Sequence, residues 1–239
     1  MDVNAEDSKM SIPFEILFED NHLLIVNKPG GVLSQGDNTG DPSIIDLAKK
    51  YVKEKYDKPG NVFIGLPHRL DRPSSGVIVL CKTSKSLSRM SELFKQKAVS
   101  KKYWAVVKES LANERGMLTH YLLKTEKNNK SKAYKNEIAH SKKAELEYNL
   151  IAKSDNFNLL EINLISGRHH QIRAQLSASG SPIKGDVKYG YKRANEDACI
   201  HLHAREIAFI HPVTKQALAI KATPPNEKLW QFFVNLVGG

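Results

Sequence analysis

The sequence predicts an α+β domain in which helices surround a mixed, mainly antiparallel β-sheet. Two observations carry that prediction. Segments that read as strands outnumber those that read as helices. Several of these strands are also so close together in the chain that hairpin pairing is their natural arrangement. With 239 residues, 41% of them hydrophobic, and a mean hydropathy of −0.42, the chain can fill one sizeable core. A single domain over residues 12–239 follows, preceded by residues 1–11, which are polar and aperiodic and read as a flexible lead-in.

Residues 14–27 form two apolar runs around Asp20-Asn21, a pair suited to a tight turn, and residues 28–31 then break the second strand with proline and two glycines. Ile44, Ile45, Leu47, Ala48, Tyr51 and Val52 recur at helical spacing behind Ser43, a capping residue. Residues 77–81 read as a buried strand, and Thr83 or Ser84 opens a helix that aligns Leu87, Met90, Leu93 and Phe94 on one core-facing side. A strand at 103–107 follows, and the segments 118–123 and 144–152 are suited to pair. Between them, 124–143 is rich in lysine and asparagine and reads as an exposed basic excursion, either a solvated loop or an arm that orders on RNA. Residues 159–165 alternate as a strand. From 167 a polar loop enters a helix closed by Gly180, with Ile172 and Leu176 facing inward. Short strands are expected at 199–202, 207–210 and 217–222, ahead of a last amphipathic helix through Leu229, Trp230, Phe233 and Leu236.

The formal charge of +10 and pI of 9.4 suit a polyanionic partner, because lysines and arginines near phosphates release condensed counterions. No stretch approaches the roughly 18 apolar residues that span a bilayer, and residues 1–30 lack a basic start followed by a long apolar run. We therefore expect a cytoplasmic protein with no membrane association. The two cysteines, Cys81 and Cys199, are far apart and read as buried free thiols.

Two polar runs stand out. His68-Arg69-Leu70-Asp71-Arg72-Pro73-Ser74-Ser75-Gly76 lies directly before the apolar strand at Val77, where an acid can be aimed into a cleft, although an aspartate beside arginines also suits a structural ion pair. Gly167-Arg168-His169-His170-Gln171-Ile172-Arg173 gathers polar side chains at a helix entrance. The paired histidines, with His201 and His203, raise the question of a metal. No carboxylate or cysteine stands at ligand spacing beside them, so no metal is expected. His68, His201 and His203 read as hydrogen-bonded structural groups.

Those two runs, together with residues 18–31, the segment Lys101-Lys102-Tyr103-Trp104-Ala105-Val106-Val107, and Gly185-Asp186, Tyr189 and Leu202-His203-Ala204, resemble pseudouridine synthases of the RluA/RluD family in the same order. The likeness runs from Phe14 to the last helix. It departs from the family pattern at Pro73-Ser74 and in the doubled His169-His170, and it includes no N-terminal S4-type RNA-binding domain. The resemblance implies that Asp71 is the catalytic aspartate, Tyr103 the aromatic that stacks on the target base, and Arg173 the cation paired with the acid. It further implies that Arg69 reaches into the RNA and that Leu202 lines the pocket. Lys28, Arg168, His169 and the basic excursion are expected to touch phosphates and fix register on the RNA. The reaction implied is uridine isomerisation in ribosomal or transfer RNA, with ribosomal RNA slightly favoured. It needs no cofactor and no obligate protein partner, and the chain would act as a monomer. The carboxylate either attacks C1′ or removes the C2′ proton.

Two other readings remain: an RNA-binding module without turnover, and an aspartate-nucleophile hydrolase. The hydrolase requires a second carboxylate or a metal near Asp71. Neither Glu92 nor Asp186 can be placed there from sequence.

Overall fold

A computed structural model describes residues 12–125 and 128–238. The expected lead-in at 1–11 lies outside the described residues. Strands β1 (Glu15–Glu19) and β2 (Leu23–Lys28) pair antiparallel across a turn in which the Asp20 carboxylate accepts the His22 and Leu23 N–H groups. Helix α1 (Ile44–Lys55) opens with a capping box, Ser43 and Asp46 each satisfying the other's backbone N–H. Strand β3 (Ser75–Cys81) is buried throughout, and Thr83 caps α2 (Ser84–Lys95) reciprocally with Ser86.

The rest of the sheet comprises β4 (Ser100–Val107), β5 (Arg115–Thr125), β6 (Lys130–Tyr134), β7 (Lys142–Lys153), β8 (Asn158–Leu164), β9 (Leu202–Ile210) and β10 (Ala217–Lys221). Helix α3 (Gln171–Ala178) and a 3₁₀ turn (Val187–Tyr189) separate β8 from β9, and α4 (Lys228–Val237) ends the described chain. The strand order is β1-β2-β3-β9-β4-β8-β7-β5-β6, with β10 also paired to β9. Among the paired strands of the described residues, only the short β3–β9 contact, Ser75 to His203 and Gly76 to Ala204, is parallel. The sheet is mixed and mainly antiparallel with helices around it, as expected.

Alternation sorts the side chains of β4 onto two faces. Tyr103 and Ala105, opposite Ala204 and Leu202 in the β4–β9 register, belong to the main core. Trp104 and Val106 point the other way, where Trp230 and Phe233 of α4 cover them. Leu236, expected on the inner side of that helix, is exposed instead.

The structure revises three further expectations. The segment 124–143 is not one continuous loop: β5 and β6 form a hairpin in register from Tyr121–Tyr134 to Thr125–Lys130, and 135–141 connect it to β7, with 126–127 outside the described residues. Leu122 anchors it against Ala174 and Tyr189, so a short apolar contact holds a strand pair that carries Lys124, Lys130 and Lys132. In place of two strands at 199–202 and 207–210 there is one, β9, which starts only at Leu202 and whose polar residues His203 and Arg205 are buried and therefore masked its apolar pattern. Cys81 is buried, but Cys199 is only half-buried.

Candidate active site

Asp71 sits on a loop whose backbone is held at every step. The turn closes when the Ser74 N–H donates to the Asp71 carbonyl at 3.1 Å. Ser34 exchanges two hydrogen bonds with Leu70, its hydroxyl donating to the carbonyl at 2.6 Å and accepting the N–H at 3.0 Å. The Arg72 carbonyl accepts the Gly31 N–H at 2.8 Å, and the Pro73 carbonyl accepts the Ile200 N–H at 3.0 Å. Polar backbone groups removed from water thus find partners on two distant segments, the turn at 28–34 and the stretch at Ile200, which keeps the acid from drifting.

Lys28 is part of this anchorage. Its side chain is fully buried, and Nζ donates to the carbonyls of Pro29, Val32 and Arg72. Burial pushes its pKa down to about 8 against the opposing pull of Cys199 and Asp71. The expectation that Lys28 touches phosphate is therefore corrected, because its ammonium is spent on backbone oxygens that the turn at 28–34 and the acid's own loop turn inward.

Arg173, near the start of α3, is 4% exposed, and its Nη1 donates to Asp71 Oδ2 at 2.9 Å. Its Nε and Nη2 grip both oxygens of Asp186, at 2.7 and 2.8 Å, and the guanidinium lies over the Tyr189 ring at 4.9 Å. Burial alone would lower the Arg173 pKa; Asp186 and Asp71 overcome it and raise it. The Asp71 side chain keeps a quarter of its surface accessible. The acid thus faces outward from a sealed cation. Asp186 is 1% exposed and bonded bidentately, so it serves the arginine and not the opening in front of Asp71.

Tyr103 reaches this place from β4, and its hydroxyl pKa is raised by burial and then by Asp71. Leu202, 4% exposed, lies on the same sheet face from β9. The structure thus brings Asp71, Tyr103, Arg173 and Leu202 together from four elements. Arg69 and Arg168 are exposed, and Arg168 Nε donates to the Lys143 carbonyl at 3.2 Å. His169 stacks on His170 with ring centres 3.8 Å apart and meets the Ser131 hydroxyl of β6 at 3.0 Å. His170 adopts a left-handed backbone (φ 51°), with Nε2 3.6 Å from Asp71 Oδ2 and Nδ1 2.8 Å from the Tyr189 hydroxyl.

Sequence reasoning gave Ser34 and Ser131 no role, and single serines carry no local signal. Tyr189 and Asp186 were visible only as members of the recurring pattern. His68 accepts the Val79 N–H and stacks on Phe94. His201 contacts Asn195 and Glu227, and His203 contacts Ser75 and the Ala222 carbonyl. All three are bonded structural groups. Among the described residues no cluster of three or more His, Cys, Asp or Glu side chains is placed to hold a metal, and no helix is long and apolar enough to cross a membrane.

The fold matches two solved structures, human RNA Pseudouridylate Synthase Domain Containing 4 (TM-score 0.75, 23% identity, 94% of this chain and 93% of the other) and Domain Containing 1 (0.72, 18%, 95% and 96%). The architecture is thus that of a pseudouridylate synthase domain. At the level of sequence, residues 22–178 match the family described as RNA pseudouridylate synthase. Ribosomal large subunit pseudouridine synthase C of Vibrio vulnificus is 33% identical over 220 residues, covering 90% of this chain and 66% of the relative. Synthase D of Zymomonas mobilis is 29% identical, covering 93% and 73%. The Dual-specificity RNA pseudouridine synthase RluA of Haemophilus influenzae is 30% identical, covering 87% and 92%. The chain belongs to the RNA pseudouridylate synthase family, a family of isomerases. It spans about two thirds to three quarters of the length of the first two of these relatives.

Proposed function

We propose that this chain isomerises uridine to pseudouridine in structured RNA through Asp71, without a cofactor, and that residues 12–239 are the catalytic domain. The reaction breaks the N1–C1′ bond, turns the uracil and joins C5 to C1′. It changes no oxidation state and transfers no group, so its minimum demand on the protein is a carboxylate beside the sugar. The observation that carries the reading is the 2.9 Å contact between part-exposed Asp71 and sealed Arg173. A desolvated guanidinium there holds the carboxylate in line and supplies the countercharge.

Tyr103 offers a face to the extruded base, which recovers about 1 to 3 kcal/mol of lost stacking, and Leu202 closes the pocket beside it. Arg69 holds the space that the base vacates, while Arg168 and His169 contact phosphates and fix register. Ribosomal RNA is the favoured substrate, because the Vibrio and Zymomonas relatives carry that designation. The enzyme acts as a cytoplasmic monomer with RNA as its partner.

Asp71→Asn tests the reading. The variant is expected to bind RNA as wild type does and to lose pseudouridine formation by about 10³-fold or more. Pseudouridine maps of total RNA with and without the gene name the nucleotide. A wild-type chain that leaves uridine unchanged, or an Asp71→Asn variant that still turns over, would sink the proposal.

A further inference from the structure

The hydrogens around Asp71 can be counted. The Tyr189 hydroxyl accepts the Ser131 N–H at 2.8 Å and lies 2.8 Å from His170 Nδ1. A phenol has one proton, and a backbone N–H can only donate, so the Tyr189 proton is left for Nδ1. With Nδ1 accepting, the imidazole proton sits on Nε2, which faces Asp71 Oδ2 at 3.6 Å. The opposite tautomer would leave the tyrosine proton with no acceptor among the described residues and point a lone pair at a carboxylate. His169 resolves the other way: the Ser131 hydroxyl spends its proton on the His169 carbonyl at 2.7 Å and therefore accepts from His169 Nδ1. Two stacked imidazoles thus hold opposite tautomers, both dictated by hydroxyl groups.

Resting on the function proposed above, we propose that His170 is a positioning residue for Asp71, locked as the Nε2–H tautomer by Tyr189 and tied through Ser131 to strand β6. Arg173 and His170 converge on the same oxygen, Oδ2. That leaves Oδ1 as the oxygen free to face ribose. The left-handed backbone of His170 at the mouth of α3 delivers the ring to this spot, and the ring stays neutral there because burial pushes its pKa down to about 3. The 3.6 Å separation closes to hydrogen-bond length as substrate seats and water leaves. The relay begins at a backbone N–H of the basic hairpin, so contact between RNA and β6 reaches the acid through two side chains, Tyr189 and His170.

The test has two arms. In histidine-¹⁵N-labelled protein at neutral pH, the His170 resonances, assigned by their loss in His170→Asn, are expected to report protonated Nε2 and bare Nδ1. Tyr189→Phe should shift them toward a mixture of tautomers. A protonated Nδ1, or an unchanged spectrum in Tyr189→Phe, overturns the relay. This arm needs no turnover and decides the relay even if wild type leaves uridine unchanged, an outcome that counts against the proposed function alone.

In single-turnover assays below each variant's melting midpoint, His170→Asn keeps a residue that tolerates the left-handed backbone but cannot reach Asp71. It is expected to slow the chemical step by about tenfold to a hundredfold, the rate equivalent of one hydrogen bond to a charged group, with RNA affinity unchanged. His170→Gln, whose amide N–H₂ reaches where Nε2 does, should recover most of that rate. Tyr189→Phe combined with His170→Asn should cost no more than the worse single variant. Independent, multiplying losses, or a loss confined to RNA affinity, would overturn the proposal.

Discussion

Arg173 serves two carboxylates at once, and its two partners make different demands. Asp186 is sealed with it, whereas Asp71 keeps a quarter of its surface open. Arg173→Ala strands the buried Asp186 charge and is expected to cost about 3 to 5 kcal/mol of stability in denaturant unfolding. Arg173→Lys supplies charge without the planar fork, so it should keep more of the fold than of the activity. A lysine variant with wild-type turnover would contradict the geometry. Asp71, Tyr103 and Arg173 were legible because each stands in a recognisable run, and the pairing of acid and arginine came only with the family resemblance, since 102 positions separate the two. Lys28 departs from its expected role for a physical reason. Residue type suggests a surface ammonium, and only the folded turn shows three carbonyls converging to replace water. Burial depresses its pKa to about 8. The folded state therefore loses that proton before the unfolded state does, and the cost of burying the charge is relieved as pH rises from about 8 toward the usual lysine value.

At the scale of the elements, β3 and β9 are in register at Gly76 and Ala204, with no room for a side chain on the glycine. A Cβ there would lie 2.4 Å from the backbone N and O of Ala204, and φ is +116°. Backbone cannot step aside as a side-chain tip can. Gly76→Ala should therefore lose about 3 kcal/mol or more, read from its unfolding midpoint, and reduce activity by shifting the loop that carries Asp71. The β5–β6 hairpin yields a different expectation. Alternation places Lys132 on the face opposite Leu122 and Ser131, while the Lys130 ammonium bends round to lie 5.9 Å from the Tyr189 ring centre. Replacing both with alanine should weaken binding similarly across RNA sequences and lower the salt slope by about one per lysine in contact with phosphate. An unchanged slope would remove the hairpin from the RNA interface. Helices and isolated strands were legible from period and caps, as Ser43 and Thr83 show. The hairpin and the single β9 were not, because lysines, His203 and Arg205 interrupt the apolar alternation that announces a strand.

At the scale of the molecule, buried neutral histidines set the response to acid. Burial pushes the pKa of His68 and His170 down to about 3 and of His201 and His203 to about 4. A lowered histidine pKa means that the unfolded chain binds more protons between the folded value and 6.5. Stability therefore rises with pH across that window and falls as pH drops through it. Melting midpoints should decline steadily below about pH 6.5, and a flat profile from about pH 7 to 5 would contradict the burial. The fold class was readable from the balance of strands and helices, but the strand order was not, because it depends on pairings across long stretches of chain. Strand β9 lies between β3 and β4 although it is made after both. A nascent chain halted before Leu202 holds two unjoined half-sheets, lacks the Ile200–Pro73 tether while Ile200 is still in the exit tunnel, and offers no floor beneath Tyr103. Competence to hold the acid against its aromatic partner therefore waits for β9, the strand that welds the two halves together.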